Sequence, residues 1–222
     1  MTDTIQPRKT PAKATIASWV GTTLEYYDFA VYATASALVF NQIFFPPELS
    51  EGVRLMLSLA TLGVGYLIRP LGAFILGPLG DRYGRKFVMM LTLFGIGGCT
   101  FLIGCLPTFA QVGALAPILL VVIRMIQGLS LSGEQAAAIT MTLEHSPERR
   151  RSFTTSFVTS GSAAGGLLST AIFIPFVAMP QEQLLSWGWR VPFWLSAVVV
   201  VVAYIIRRTL EEVLVNRGDE LI

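Results

Sequence analysis

Six side chains that could carry chemistry lie inside apolar stretches of this 222-residue chain, where polar groups are rare. They are Glu25, Asp28, Arg69, Arg124, Gln127 and Glu134. A charged group at the centre of a bilayer costs about 3 kcal/mol or more, so it persists mainly where it meets a partner or a water-filled cavity. A carboxylate can bind and release a proton, and a guanidinium group can hold a carboxylate through two hydrogen bonds. These residue types predict a polar cavity in a membrane for a charged solute and a proton.

Two of these charges are expected to meet near the middle of the membrane. Asp28 lies about eleven residues, or roughly 16 Å, from the cytoplasmic end of the first predicted span, and Arg124 lies about eleven residues from the outer end of the fourth. The two groups therefore reach the same level and can neutralise each other. Glu25 lies one helical turn from Asp28, and Arg69 and Glu134 lie at a comparable depth from the cytoplasmic side.

The polar residues divide into two predicted roles. Proton coupling is assigned to Asp28, Glu25 and Arg124. Substrate binding is assigned to Arg69, Tyr32, Gln127 and Glu134, with Tyr32 one of three tyrosines, Tyr26, Tyr27 and Tyr32, around the acidic pair. The alternative is a set of fixed salt bridges, Asp28 with Arg124 and Arg69 with Glu134, that only hold the bundle together. We favour the cavity because a bundle has other ways to be stable than burying five ionisable groups.

Composition places these residues in a membrane protein. Hydrophobic residues make up 53% of the chain and charged residues only 14%, a balance far from that of soluble domains. The segments between Lys86 and Arg124 and between Arg151 and Glu182 are each apolar enough for a helix of about 20 residues to cross a bilayer. Helical spans are predicted at 17–42, 55–79, 87–106, 113–143, 153–177 and 188–206. The predicted fold class is an all-α membrane protein in which residues 17–206 form one six-helix transmembrane bundle.

The positions of the basic residues predict the orientation of these spans. Lys and Arg concentrate in the segment 1–16 and in the segments after the second, fourth and sixth spans. Cytoplasmic loops collect Lys and Arg, so the tail 1–16 and the segment 207–222 are both expected in the cytoplasm, with the bundle in the inner membrane. The net charge of +2 is then a topology signal, and nucleic acid is not a predicted partner.

The cysteines and the histidine do not predict a reactive centre. Cys99 and Cys105 lie in one apolar run, and His145 is the single histidine of the chain. This set supplies neither a disulfide framework nor a metal cluster, so no metal and no cofactor are predicted. An intramembrane enzyme is disfavoured as well, because His145 falls in a predicted cytoplasmic loop and pairs with no nucleophile.

Small residues predict where helices touch. Gly and Ala at a spacing of four tend to mark contact faces of membrane helices. Such positions are Gly161, Gly165 and Gly166 in the fifth span and Gly95, Gly97, Gly98 and Gly104 in the third. We expect other helices to approach the backbone at these positions.

One charged segment fits the sequence motif of a known protein family. The stretch "GPLGDRYGRKF" at 77–87 fits the pattern G-x-L-x-D-R-x-G-R-K at every defined position, in the predicted turn between the second and third spans. With this motif in this turn, the chain resembles the major facilitator superfamily. The stretches "VGTTLEYYDFAVY" (20–32), "RMIQGLSLSGEQAAA" (124–138) and "GWRVPFWLS" (188–196) resemble its metabolite:proton symporters for shikimate, citrate, α-ketoglutarate, proline or betaine.

The resemblance implies a rocker-switch importer in which the charged turn latches two half-bundles on the cytoplasmic side. The implied latch residues are Gly77, Asp81, Arg82, Gly84, Arg85 and Lys86. Asp81 would face the start of a helix in the opposite half, where the helix dipole favours an anion. The function expected from it is proton-coupled symport of a small organic acid or a zwitterionic metabolite.

Two departures from the family limit what carries over. The family has twelve spans in two similar halves, whereas six are predicted here, and "TLEEVLVNRGDELI" lacks the Glu-Ser-Pro run usual after the sixth helix. The chain is therefore expected to be an N-terminal half that needs a C-terminal half-bundle or self-association to transport. The alternative is a truncated or accessory membrane protein that has no transport activity of its own.

Overall fold

The computed structural model describes residues 11–83, 85–132 and 151–219, and the regular elements in those ranges are helices. The first helix, α1, spans Pro11–Ala35 and runs on through a π-helical turn, Ser36–Phe40, and a short helix, Asn41–Ile43. Pro46 and Pro47 follow, and proline cannot donate the backbone hydrogen bond that would continue the helix.

The second and third long helices are separated by a single residue. Helix α2 spans Glu51–Leu67 and α3 spans Arg69–Tyr83, with a turn at Ile68 between them. Pro70 stands two residues after this turn and lacks the N–H that would bond the carbonyl of Tyr66. The break in the helix therefore lies directly beside the charged side chain of Arg69.

The remaining helices complete the described part of the chain. Helix α4 spans Arg85–Cys105 and α5 spans Leu115–Leu131, with a short helix, Phe109–Val112, between them. Thr108 and Gln111 form a capping box at the start of that short helix. Helix α6 spans Arg151–Val177 and α7 spans Arg190–Asp219; they are joined through a short helix, Gln181–Gln183, and a second π-helical turn, Leu184–Gly188.

Helix α6 packs along α1 through two glycines of the fifth predicted span. A Cβ atom built at Gly161 would lie 2.8 Å from the carbonyl oxygen of Trp19, and one at Gly165 would lie 2.7 Å from the backbone nitrogen of Tyr27. The expected close approach is therefore confirmed at both positions. Gly166 has nothing within 4 Å of such an atom and does not take part.

Helix α4 packs against α7 in a similar way. Gly97 faces Val200, and a Cβ atom at Gly104 would lie 2.8 Å from that of Phe193. Gly95 faces Ser130 on α5, whereas nothing lies within 4 Å at Gly98. The third-span glycines thus serve two different helix contacts, except Gly98.

An aromatic cluster closes the end of the bundle where α1 terminates. Its members are Phe40, Phe44, Trp189 and Phe193, and all four are fully buried. The ring of Phe40 lies 5.6 Å from the rings of both Trp189 and Phe193. Each π-helical turn ends at or directly before a member of this cluster, so both turns position rings in the same core.

The helices agree with the predicted spans in place but not in every boundary. Among the described residues, two helices are long and apolar enough to cross a membrane, Glu51–Gly80 and Ser152–Val177, and a third would be the bent pair Gln181–Gly188 with Arg190–Val202. Two shorter apolar helices, Met90–Cys105 and Leu115–Leu131, fall below that length. The count of six spans is therefore not confirmed.

Helices extend into both predicted terminal segments. Helix α7 continues to Asp219, so the segment 207–222, expected in the cytoplasm, is helical over 207–219. Its charged residues Glu211 and Glu212 do not interrupt it, because Glu and Arg are good helix formers. The tail expected over 1–16 is already helical from Pro11, a residue well suited to the first turn of a helix.

Candidate functional site

Asp28 and Arg124 lie together in the interior of the bundle. Each is only 4% exposed, and Nη1 of Arg124 lies 3.7 Å from Oδ2 of Asp28. Gln127, one turn further along α5, donates from Nε2 to the same carboxylate oxygen at 2.5 Å and accepts from Nη1 of Arg124 through Oε1. The structure thus brings three of the predicted residues into one hydrogen-bonded group, with the amide of Gln127 bridging the two charges.

Thr100 on α4 completes this group. Its hydroxyl donates to Oδ1 of Asp28, accepts from Nε2 of Gln127 at 2.8 Å, and lies 2.9 Å from the carbonyl oxygen of Ile96. Sequence analysis missed this residue because a threonine in an apolar run is usually a packing residue. The signal was its spacing of eight residues from Thr92, which places two hydroxyls on one face of a helix, and both are buried.

Tyr32 lies under the guanidinium group of Arg124. Cζ of Arg124 is 3.7 Å from the centroid of the Tyr32 ring, a distance typical of a strong cation–π contact. The hydroxyl of Tyr32 lies 2.5 Å from that of Thr61 on α2, and Thr61 in turn donates to the carbonyl of Ser58 at 2.6 Å. The ring is therefore held at its hydroxyl end, and Arg124 has a carboxylate on one side and an aromatic face on another.

Arg69 pairs with Glu25, a partner that the depth count did not single out. Nη2 of Arg69 lies 3.2 Å from Oε1 of Glu25, and Cζ of Arg69 lies 4.4 Å from the centroid of the Tyr66 ring. Glu134, which was expected at the level of Arg69, lies outside the described residues. Both ion pairs therefore take their acid from α1, one helical turn apart.

A small cavity lies beside the charged side chains of both arginines. It has a volume of about 10 Å³, close to the space of one water molecule, and its wall includes Asp28, Arg69, Arg124 and Gly65. Nε of Arg69 and Nε of Arg124 are both buried without a hydrogen-bond partner. A buried donor without a partner is costly, so both guanidinium groups retain capacity to bind an incoming acceptor.

The latch motif is placed differently from the prediction. Gly77 lies on α3 with nothing within 4 Å of a built Cβ atom, and the helix continues through Asp81 and Arg82 to Tyr83. Helix α3 therefore runs to Tyr83, directly before position 84, because the glycine and proline at 77 and 78 are accommodated in the helix. Arg82 is exposed and stacks on Tyr83 at 5.5 Å. Gly84 lies outside the described residues, and the helical backbone of α4 begins at Arg85 and Lys86.

Comparison with known proteins identifies what the chain is similar to. Residues 13–220 match the sequence profile of the family described as sugar (and other) transporter. The shikimate transporter of Escherichia coli strain K12 is 44% identical over 202 residues, covering 90% of this chain and 46% of that protein. The glycine betaine/proline/ectoine/pipecolic acid transporter OusA of Dickeya dadantii strain 3937 is 39% identical over 201 residues, covering 90% of this chain and 40% of that protein.

The fold has a counterpart among solved structures. The xylose transporter XylE from E. coli, in an inward-open conformation, superposes with a TM-score of 0.71 at 19% identity, covering 90% of this chain and 48% of that one. The chain thus spans about half the length of the curated relatives and of the solved transporter that it matches.

Proposed function

Because this chain belongs to the sugar (and other) transporter family of the major facilitator superfamily, we propose that it forms the N-terminal half of a secondary transporter. In this proposal, residues 17–206 cross the inner membrane six times with both termini in the cytoplasm. The transported species are a small organic acid or zwitterionic metabolite together with protons. The family and the relatives it matches are transporters, so the enzyme alternative has no support.

The observation that carries the proposal is the buried group around Asp28 and Arg124. A carboxylate that takes up a proton no longer neutralises the guanidinium 3.7 Å away. Arg124 then needs another anion; it is one of the residues that line the cavity, and its Nε has no hydrogen-bond partner. A solute carboxylate can fill that need through a charge-assisted hydrogen bond. Proton uptake by Asp28 and solute binding at Arg124 would thus favour each other, which is the requirement for symport.

The proposed substrate class rests on the charges of the two ion pairs. Arg69 and Arg124 suit a carboxylate, while Glu25 and Asp28 suit a cationic group such as a quaternary amine. Two relatives are named for shikimate and for betaines and proline, which fit these two kinds of group. We therefore assign Arg69, Tyr32, Gln127 and Glu134 to solute binding, and Asp28, Glu25 and Arg124 to proton coupling.

Alternating access in this proposal requires a second half-bundle. In transporters built from two repeats, the site lies at their interface and each repeat supplies one wall. The match to about half of each relative supports a partner half, supplied by a C-terminal half-bundle or by a second copy. We assign the latching of the two halves on the cytoplasmic side to the charged segment where α3 is followed by α4. Its residues are Gly77, Asp81, Arg82, Gly84, Arg85 and Lys86.

Uptake into vesicles tests this function. The chain, alone and together with any half-bundle encoded directly downstream, is reconstituted with an inward proton gradient and a panel of labelled organic acids and betaines. We expect saturable accumulation by the two-part protein that collapses when a protonophore is added. Accumulation that does not depend on the proton gradient would contradict proton symport. Full transport activity of the chain alone, without self-association, would contradict the half-bundle assignment.

A further inference from the structure

We propose that Thr100 is a positioning residue that reports the protonation state of Asp28, by reversing the direction of the hydrogen bond between its hydroxyl and Oδ1. This inference deepens the proposed function and rests on it only where transport is concerned. It assigns the bound proton to one oxygen of one carboxylate. It also gives α4, a helix without a charged residue at the site, a part in the coupling step.

The two oxygens of Asp28 face different kinds of group. Oδ2 faces Nη1 of Arg124 and accepts from Nε2 of Gln127. Guanidinium has donors only, and Gln127 presents its Nε2 donor to Oδ2 while its Oε1 holds Arg124, so the groups that face Oδ2 are donors and do not accept a hydrogen bond from a proton placed there. Oδ1 meets the hydroxyl of Thr100, which can both donate and accept. The proton therefore belongs on Oδ1.

The hydroxyl of Thr100 has a second acceptor within reach. With Asp28 charged, the Thr100 hydrogen points to Oδ1 and its oxygen accepts from Gln127. When a proton binds Oδ1, the new carboxylic O–H donates to Thr100 Oγ1, and the Thr100 hydrogen turns to the carbonyl of Ile96, 2.9 Å away. The threonine oxygen then accepts two hydrogen bonds, within its capacity, and one proton has been added with no group left unpaired. A valine at this position could serve neither state.

Gln127 links this reversal to Arg124. Its Nε2 donates to both Asp28 Oδ2 and Thr100 Oγ1, and its Oε1 holds Arg124. When Thr100 and Asp28 change in strength as hydrogen-bond acceptors, the hydrogen bonds donated by the Gln127 amide change with them. This amide orients the guanidinium group of Arg124. Charge-assisted hydrogen bonds are stronger than neutral ones, so the amide loses its stronger acceptor when Asp28 is neutral.

Other titratable and charged groups also face Asp28 and act alongside Thr100. They are Arg124 from α5, Arg69 from α3, Cys99 from α4, and Tyr27 and Tyr32 from α1. Glu25, one turn from Asp28 on α1, pairs with Arg69. Each acts through charge or burial on the whole carboxylate. Thr100 differs because its hydroxyl bonds Oδ1 directly and can fit both protonation states.

Infrared difference spectroscopy of the purified chain on acidification tests the inference without any transport. Asp28→Asn identifies the carboxylic C=O band of protonated Asp28 by its loss. We expect Thr100→Val to move that band to higher wavenumber, because the O–H of Asp28 then lacks an acceptor. Thr100→Ser, which keeps the hydroxyl, should restore the wild-type band. Thr92→Val, at a buried threonine two turns away on the same helix, controls for the loss of a buried hydroxyl.

Each outcome decides the inference. An unmoved band in Thr100→Val, or equal shifts in Thr100→Val and Thr100→Ser, would overturn it. Should Thr100→Val not fold, Thr100→Cys replaces it, and its weak S–H group should give a smaller shift in the same direction. In the complete transporter, Thr100→Ser should keep the pH profile of uptake and Thr100→Val should shift it. A normal infrared result without proton-driven uptake would refute the proposed function while leaving the assignment of Oδ1 standing.

Discussion

Arg124 lies with its guanidinium carbon 3.7 Å from the centroid of the Tyr32 ring. The same side chain faces Asp28, so two very different groups share one cation. The carboxylate contact depends on the charge of Asp28, whereas the ring contact does not. Tyr32 therefore holds Arg124 in place while Asp28 is neutral, which is when the solute is expected to bind.

Replacing the ring of Tyr32 should weaken solute binding. A desolvated cation–π contact is worth about 1–2 kcal/mol, so Tyr32→Leu is expected to weaken binding roughly tenfold. Tyr32→Phe keeps the ring and loses only the bond to Thr61, and it should bind within about threefold of wild type. Titration of the complete transporter with labelled solute measures both, and equal losses in the two variants would rule out the ring as the cause.

Neutralising Asp28 should separate accumulation from exchange. Asp28→Asn keeps a hydrogen-bonding side chain of the same size but cannot gain or lose a proton, so concentrative uptake is expected to be lost while exchange of solute across the membrane persists. Glu48→Gln, an exposed acid in the loop before α2, is the matched control and should leave uptake unchanged. Near-normal accumulation of solute by Asp28→Asn would contradict the assignment of Asp28 to proton coupling.

The pair of Arg69 and Glu25 should contribute to stability through mutual interaction. Removing one member leaves a partly buried charge behind, so Arg69→Gln and Glu25→Gln should each destabilise the chain. The sum of these two losses in stability should exceed the loss in the double variant. We expect a coupling energy of about 1–2 kcal/mol from the double-mutant cycle, reduced by the partial exposure of Arg69. Thermal unfolding of the four proteins in detergent gives it. Strictly additive effects of the two substitutions on stability would indicate that the ion pair does not stabilise the folded chain.

A methyl group at Gly165 should disrupt the contact between α1 and α6. The added carbon would meet the backbone nitrogen of Tyr27 at 2.7 Å, and a backbone atom cannot move aside cheaply. Gly165→Ala is expected to cost about 1–3 kcal/mol, the usual range for overpacking. Gly166→Ala adds the same group where nothing lies within 4 Å, so it should leave the melting temperature in detergent unchanged or slightly higher. Equal effects at the two glycines would mean that the close contact does not limit stability.

The latch assignment predicts a kinetic defect. Asp81→Ala and Gly84→Val should slow the exchange of solute more than they weaken its binding, because neither residue is among those that line the cavity. Binding titrations and exchange rates on the same preparations separate the two effects. A variant with weakened binding and a normal exchange rate would count against the latch.

Sequence reasoning identified the contact between Asp28 and Arg124 because charge was the signal. Asp28 and Arg124 could be matched by depth alone because a buried charge in an apolar helix requires a partner. The family resemblance, now confirmed by the match over residues 13–220, came from the charged turn. Depth did not identify Glu25 as the partner of Arg69. This contact depends on the rotation of α1 and α3 about their axes, and counting residues along the chain gives no information about that rotation.

Hydroxyl groups and helix irregularities escaped the sequence for a different reason. Thr100 costs little to bury because a threonine can always bond the carbonyl four residues earlier, so its presence in an apolar span demands no partner. The π-helical turns at Ser36–Phe40 and Leu184–Gly188 depend on how rings pack between helices distant in sequence. Both features are set by tertiary contacts rather than by local pattern.

The contact at Gly161 and Gly165 has a consequence for how such a protein can diversify. Because α6 rests directly on the backbone of α1 near Trp19 and Tyr27, side chains of any size at either glycine would move α1 and with it both of its acids. The spacing of Glu25 and Asp28 from α6 is thereby fixed. In the proposed function, new solute preferences are then most accessible to mutation on α2 and α3, whose side chains line the cavity opposite α1. Arg124 and Gln127 on α5 serve the proton-coupling and the solute-binding role side by side, so changes there would affect both.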